Sequence, residues 1–118
     1  MVGGSQADID RTGKYTGVRH EEKGRGILMG PGEKIRVGPI PAGQKKAAVE
    51  KLGTVTSAAQ LAAAYHKGAW NEFVVIAEGS HLRHYLNGTL TADVTDFDEA
   101  KAAKSGVIAL QLHAGQPM

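Results

Sequence analysis

Short runs in which hydrophobic and polar residues alternate, separated by glycines, make up most of the first half of this chain. A period of two is typical of strands that bury one face, and glycines between such runs are typical of tight turns. A proline-containing segment at residues 38–46 predicts an excursion over the surface. The pattern predicts antiparallel strands over residues 5–10, 14–19, 26–29 and 34–37.

One segment has helical rather than strand-like character. Residues 58–67 are dense in alanine, the residue with the strongest helix propensity. Thr56 or Ser57 can cap the N-terminus, and Gly68 can end the helix. We therefore predict one short helix near residues 57–67, docked on the strands because so short a helix is marginal alone.

Three further strands follow the helix in quick succession. The predicted strands cover residues 70–78, 81–86 and 89–95. Asn87-Gly88 lies between the last two, and this dipeptide is a strong hairpin signal because a type I′ turn needs positive φ at both central residues. The chain is thus predicted to be mostly β.

The last hydrophobic pattern, over residues 106–113, ends in two polar side chains. Ile108, Leu110 and Leu112 form one face of the predicted strand, and the opposite face ends in Gln111 and His113. A glutamine can orient a hydroxylated ligand by hydrogen bonds, and a histidine can also transfer a proton near neutral pH. This pattern therefore predicts a ligand-binding face.

Composition narrows the choice of function. The chain has 118 residues and a formal net charge of +2, with lysine and arginine scattered among aspartate and glutamate. This length predicts one small domain, and the scattered charges form no basic stripe that could bind nucleic acid.

The absence of cysteine excludes disulfides and thiolate metal sites. No window is long and apolar enough for a membrane span, so we expect no membrane span. The glycine-rich segments lack the Gly-Lys-Ser/Thr of a phosphate loop, so no nucleotide site or other cofactor is predicted.

Two polar residues near the N-terminus admit both a structural and a functional interpretation. Gln6 and Asp8 are two apart in a predicted strand and so share a face. That face is either solvated or part of the ligand-binding face with Gln111 and His113. Ala7 and Ile9 are expected on the buried side.

Two residues of the second half, His84 and Trp70, also have two interpretations. His84 alternates with leucines and is either a core histidine with its hydrogen bonds satisfied or a residue of the cleft. His81 falls on the opposite face of the same strand, so the two histidines make a poor metal pair, and no metal site is predicted. Trp70 is expected to pack in the structure more than to stack on a sugar ring.

Six motifs, in order along nearly the whole chain, resemble the 3-keto-disaccharide hydrolase family. This family has a concanavalin A-like jelly-roll fold. The motifs are Gln6-Ala7-Asp8-Ile9, Tyr15-Thr16-Gly17, Gly24-Arg25-Gly26-Ile27-Leu28, Gly68-Ala69-Trp70-Asn71-Glu72-Phe73, His84-Tyr85-Leu86-Asn87-Gly88 and the segment from Ser105 to Gly115.

The resemblance implies an all-β, antiparallel jelly-roll sandwich whose concave face binds sugar. It also implies cleavage of glycosides already oxidised at C3, in the periplasm or outside the cell. The C3 ketone acidifies the C2 proton, so a base can remove it, the C1 substituent is eliminated and water adds back. Such chemistry needs no closely spaced carboxylate pair, and the sequence offers none.

Site residues are assigned by their chemistry at the positions that the resemblance covers. His113 is expected to act as base or acid, Asp8 as its partner, and Arg25 as the charge that stabilises the developing enolate. The expected sugar-binding residues are Gln6, Gln111, Glu72, His84 and Trp70.

Residues 1–118 are expected to form a single, incomplete jelly-roll domain, because family members have further strands before and after this segment. Unpaired strand edges would then favour homo-oligomers. Besides an enzyme acting on a sugar substrate, two alternatives stay open: a lectin-like, non-catalytic sugar-binding module, and an inactive fragment of the domain.

Overall fold

Two β-sheets and one short helix make up the described part of the chain. The computed structural model describes residues 4–9, 16–22, 26–100, 102 and 104–110. In chain order the elements are β1 (Gly4–Ala7), β2 (Arg19–Glu22), β3 (Gly26–Met29), β4 (Glu33–Val37), β5 (Val49–Thr54), α1 (Ala58–Ala64), β6 (Phe73–Glu78), β7 (His81–Leu86) and β8 (Thr89–Asp96).

The strands form a three-stranded sheet and a five-stranded sheet. The smaller sheet has the order β1-β2-β3, and the larger has the order β5-β4-β8-β7-β6. Neighbouring strands pair antiparallel, except that β4 and β8 pair in parallel. The architecture confirms the predicted all-β sandwich with one short helix. The parallel pair departs from the purely antiparallel pattern.

A hydrophobic core lies between the sheets and is centred on β8. Side chains of β3, β4 and β8 form one buried cluster, comprising Leu28, Met29, Ile35, Val37, Ala92 and Val94. Strand β8 is bordered by β4 on one side and β7 on the other, so its backbone hydrogen bonds are satisfied within the sheet. Burial of this apolar surface is the main favourable contribution to folding.

Strands with strong local signals lie where the sequence predicts them. This holds for β3, β4, β7 and β8. Asn87 and Gly88, in the turn between β7 and β8, have φ of 48° and 80°. Both values are positive, as a type I′ hairpin turn requires. The exposed segment at residues 42–46 confirms the predicted surface excursion.

The predictions for the first two strands were wrong in their bounds. Strand β1 ends at Ala7, and Thr16 and Gly17 form a turn before β2 begins at Arg19. The N–H of Gly17 donates to the carbonyl of Asp8 at 2.9 Å, and neither residue belongs to a strand. Ile9 is 53% exposed, so the expected burial of its side chain was also wrong.

Strand β5 was not predicted. Its sequence, Val-Glu-Lys-Leu-Gly-Thr, contains charged and small residues and no hydrophobic alternation. It pairs with β4, and the Lys51 ammonium contacts the Glu33 carboxylate at 2.8 Å. That hydrogen bond from Lys51 lowers the pKa of Glu33 below its usual value. Strand β5 therefore forms because it pairs with β4, and not because its own sequence alternates between hydrophobic and polar residues.

The helix begins where predicted and ends early. Ser57 caps it in a capping box with Gln60. The helix ends at Ala64, and Tyr65 is already extended. The N–H of His66 donates to the side-chain oxygen of Asn71 at 2.8 Å instead of continuing the helical ladder.

Two segments expected to be strands are not strands in the described part of the chain. Residues 70–72 precede β6, and Trp70 is 98% exposed, so the expected packing of its ring was wrong. Residues 106–110 are exposed and form no strand, contrary to the prediction for 106–113. Alternation produces a strand only where a neighbouring strand supplies hydrogen bonds, and none is described beside this segment. Residues 111–113 lie outside the described part.

Asn87 has a second role beyond its turn. Its side-chain amide donates to the carbonyl of Ala64 at 2.6 Å and to the side-chain oxygen of Asn71 at 2.9 Å. Its side-chain oxygen accepts from the N–H of Glu72 at 2.8 Å. The residue thus joins the hairpin to the end of α1 and to the start of β6.

Replacing Asn87 with glycine and with alanine separates these two roles. Asn87→Gly keeps the positive φ but removes the side-chain hydrogen bonds, so we expect a loss of about 2 kcal/mol in unfolding free energy. Asn87→Ala should lose about 1 kcal/mol more, because alanine is disfavoured at positive φ. Urea unfolding measures both. A glycine variant as stable as the wild type would contradict the joining role.

Candidate functional site

A buried ion pair crosses the interface between the two sheets. Arg19 on β2 places Nη2 3.3 Å from Oδ2 of Asp96 on β8, and the two side chains are 5% and 8% exposed. The same Nη2 donates to Oγ of Ser5 on β1 at 2.9 Å. Asp96 in turn accepts from the N–H of Asp98 at 3.1 Å. The pair therefore links β1, β2 and the central strand β8 through polar contacts.

His84 lies in the same interior, on β7. It is 1% exposed, and its ring contacts that of Phe73, with 5.7 Å between centroids. The pKa of His84 is lowered to about 4, mainly by burial and further by the nearby positive charge of Arg19, while the Gly17 backbone opposes both effects. The imidazole is therefore neutral at pH 7. The ring lies in the core, as one of the two alternatives predicts, but its Nδ1 has no hydrogen-bond partner among the described residues.

Gln6 and Asp8 contact each other directly. The Gln6 side-chain amide donates to Oδ1 of Asp8, and both side chains are half-buried. The backbone of Asp8 is held by the N–H of Gly17. In the β1–β2 pairing, Gln6 is opposite His20 while Ala7 is opposite Arg19, so Gln6 and Arg19 point to opposite faces of the small sheet.

The remaining predicted site residues are dispersed or lie outside the described residues. Trp70 and Glu72 are exposed and precede β6, one of the two outer strands of the described five-stranded sheet. The N–H of Glu72 donates to Asn87. Arg25, Gln111 and His113 lie outside the described residues. The structure thus brings Gln6 and Asp8 together, and it assigns His84, Trp70 and Glu72 to the other sheet and its edge.

An open depression of about 430 Å³ lies beside α1, lined by Thr56, Gln60, Ala63, Ala64, His66, Asn87 and Thr89. Most of its polar groups are engaged within the fold, since Thr56 donates to the carbonyl of Leu90 at 2.6 Å and Asn87 makes the contacts described above. Within the ranges that the structure describes, no three histidine, aspartate or glutamate side chains are grouped as a metal site. No helix among the described residues is long and apolar enough to cross a membrane.

Arg19 and Asp96 were not among the predicted site residues. Asp96 is the last residue of β8, and Arg19 begins a strand whose position the sequence misjudged. The two residues are 77 positions apart. Strand β8 carries two aspartates, Asp93 and Asp96, and three threonines, so its sequence does not single out Asp96 or indicate its partner.

Comparison with known proteins identifies the family. A family model described as "3-keto-alpha-glucoside-1,2-lyase-like domain" matches residues 1–118. The chain belongs to this family. The match confirms the resemblance that the six sequence motifs indicate.

The search of curated proteins and the search of solved structures each found no match to this lyase-like domain. The family model and the geometry of the described residues therefore carry the functional argument.

The buried His84 predicts acid sensitivity of the lyase-like domain. Its folded-state pKa of about 4 is below the ordinary value of 6.5, so the unfolded chain binds a proton more readily. The stability that depends on a neutral ring is fully present above pH 6.5 and is lost as the pH falls towards 4. Between pH 7 and pH 4.5 we expect a loss of about 2 kcal/mol from this group.

Urea unfolding of the wild type and of His84→Gln at both pH values measures this loss. The glutamine does not titrate, so the variant should lose less stability on acidification by about 2 kcal/mol. An equal loss in both proteins would show that His84 does not titrate with the inferred shift.

Proposed function

We propose that this domain cleaves the glycosidic bond of sugars that carry a ketone at C3. The observation that carries the proposal is the family match, which extends over residues 1–118. The family description names a 3-keto-alpha-glucoside and a lyase-like reaction. Sugar binding, and a location in the periplasm or outside the cell, belong to the same proposal.

The proposed reaction begins with removal of the C2 proton. A base takes this proton, the electron pair of the C–H bond forms the enolate with the C3 ketone, and elimination then expels the C1 substituent with protonation of its oxygen. Water adds across the resulting double bond to give the free 3-keto sugar. In this scheme His113 is the base or acid, Asp8 is its partner, and Arg25 stabilises the enolate charge.

The local geometry of Asp8 supports its proposed role. Its carboxylate accepts a hydrogen bond from Gln6, and its main-chain carbonyl accepts one from Gly17. A carboxylate restrained at both its side chain and its backbone can orient a histidine without first losing conformational freedom. Half-burial leaves one side of the group accessible.

The remaining proposed contacts concern sugar hydroxyls and ring faces. Gln6 and Gln111 would bind hydroxyls, and Glu72 would do so at the edge of the larger sheet. Trp70, with 98% of its surface exposed, can stack on a pyranose face. His84 is enclosed between the sheets, so any contribution it makes to sugar binding is an indirect one.

The proposal also includes association of this chain with further copies of itself. In the described five-stranded sheet, β5 and β6 are the outer strands. Val49, Leu52 and Val75 on these strands are exposed. Exposed apolar edges favour pairing with another strand, so we propose that homo-oligomers, where they form, use these edges.

Aglycone release from a chromogenic 3-keto-glucoside tests the function, with the ordinary glucoside as the parallel substrate. We expect release from the keto sugar only. Asp8→Asn keeps the shape of the side chain but removes its charge, so kcat/KM should fall about 100-fold, and His113→Ala should abolish turnover. Glu50→Gln is the matched control, since this exposed carboxylate on β5 pairs with Arg36, and its kcat/KM should be unchanged.

Two results would contradict the proposal. Release from neither sugar by a folded wild type that still binds the keto sugar would indicate a lectin-like module. Equal kcat/KM values for Asp8→Asn and Glu50→Gln would show that Asp8 takes no part in the mechanism, although the proposed reaction itself would still stand.

A further inference from the structure

Trp70 exposes its ring to solvent on the loop at residues 65–72, which connects α1 to β6 and is called the Trp70 loop below. Its side chain is 98% exposed, although tryptophan is highly buried on average in folded proteins. The residues at 66–69 and 72 are also exposed, and all of them are charged, polar or small. Within its loop Trp70 is therefore an isolated aromatic ring in polar surroundings. Such a ring suits a ligand with both polar and apolar groups better than a broad apolar protein surface.

Side-chain amides restrain the Trp70 loop. The side-chain oxygen of Asn71 accepts from the N–H of His66 at 2.8 Å, and its amide donates to the carbonyls of His66 and Ala69 at 2.8 and 3.1 Å. Asn87 donates to the same Asn71 oxygen at 2.9 Å. Trp70 lies between Ala69 and Asn71, so its backbone is restrained on both sides. A ring presented from a restrained loop loses little conformational freedom when a ligand binds.

The open depression beside α1 lies next to the Trp70 loop. His66 and Asn87 line the depression, and both form hydrogen bonds with Asn71, the residue that follows Trp70. The volume of the depression, about 430 Å³, is within the range of small-molecule sites, roughly 300–1,000 Å³. An exposed aromatic ring and a concave polar surface are therefore held side by side.

The polar groups of the depression suit a neutral, hydroxylated ligand. Gln60 uses its side-chain oxygen to accept from the N–H of Ser57. The amide nitrogen of Gln60, the ring of His66 and the hydroxyl of Thr89 make no hydrogen bond within the part of the chain that the structure describes. These groups can donate to and accept from sugar hydroxyls. Among the described residues, no carboxylate or ammonium group lines the depression, so it offers no opposite charge to an ionic ligand.

We propose that Trp70 and the depression beside α1 form a binding site for a neutral pyranose sugar. The apolar C–H face of the sugar ring stacks on the indole, and its hydroxyls bond to the three polar groups of the depression. The inference rests on the proposed function, in which Trp70 stacks on a pyranose, and it names the sugar as an unoxidised one, because no group of this site requires a C3 ketone. Gln6 and Asp8 do not line the depression, so the site is separate from their contact.

Intrinsic fluorescence tests the site directly, because Trp70 is the only tryptophan of the chain. Methyl α-glucoside, which carries no ketone, is titrated into the full chain, with excitation at a wavelength that tyrosine does not absorb. We expect a saturable change in emission with a Kd of roughly 1 mM, the affinity of a monosaccharide-sized ligand in an open site. Glycerol at the same concentrations is the control and should give no saturation. A response to the glucoside that is no different from that to glycerol would overturn the inference.

Variants then locate the bound sugar. Trp70→Ala removes the stacking surface and leaves the fold intact, since the side chain is 98% exposed. Thr89→Val removes one hydroxyl of the depression, and Thr95→Val makes the same change near the other end of β8 as the matched control. Binding to each variant is followed by NMR titration of the Ala63 amide. We expect Kd to rise about tenfold or more for Trp70→Ala and about fivefold for Thr89→Val, and to stay unchanged for Thr95→Val.

Equal Kd values for the wild type and Trp70→Ala would overturn the inference, and so would equal effects of Thr89→Val and Thr95→Val. Asp8→Asn should bind the glucoside as the wild type does. Loss of binding in that variant would place the sugar beside the proposed proton-transfer residues and overturn the separate site.

None of these measurements depends on turnover, so the two proposals fail separately. A chain that binds methyl α-glucoside at Trp70 but cleaves no keto sugar contradicts the proposed function and supports the site. A chain that cleaves the keto sugar but does not bind the glucoside supports the proposed function and overturns the site.

Discussion

The ion pair between Arg19 and Asp96 is the constraint on which the arrangement of the two sheets depends. Apolar packing of the core brings the sheets together but does not by itself fix their register, since it is non-directional. A guanidinium and a carboxylate that are both removed from water must meet closely, because separating them would leave two buried charges uncompensated. The additional bond from Arg19 to Ser5 extends this constraint to β1, so β1, β2 and β8 are held in one relative position.

The candidate site is built on that fixed frame. Ser5, next to Gln6, accepts a hydrogen bond from Arg19. Gly17, whose N–H donates to the Asp8 carbonyl, lies directly against the buried Thr91 of β8. The segment that carries the Gln6–Asp8 contact is therefore attached at two points to groups without access to water. Such attachment favours catalysis by a fixed carboxylate, because little freedom remains to be lost when substrate binds.

Local rules account for the features that the sequence predicts well. The hairpin at Asn87-Gly88 and the cap at Ser57 follow from residues adjacent in the chain, and both are found where expected. The features that were missed depend on distant partners. Strand β5 forms beside β4 without a hydrophobic pattern of its own, and Arg19 meets Asp96 across 77 positions. The family could be recognised because its motifs are local, whereas the interior polar contacts could not be derived from periodicity.

A double-mutant cycle on Arg19 and Asp96 tests the central claim most directly. Urea unfolding of Arg19→Met, Asp96→Leu and the double variant gives the coupling energy, with the exposed pair of Arg36 and Glu50, 53% and 63% exposed, as the control cycle. We expect each single variant at the buried pair to lose about 3 kcal/mol, and the double variant to lose less than the two together by about 2 kcal/mol or more. The control pair should couple by less than about 1 kcal/mol. Losses at Arg19 and Asp96 that add within about 0.5 kcal/mol would contradict the account.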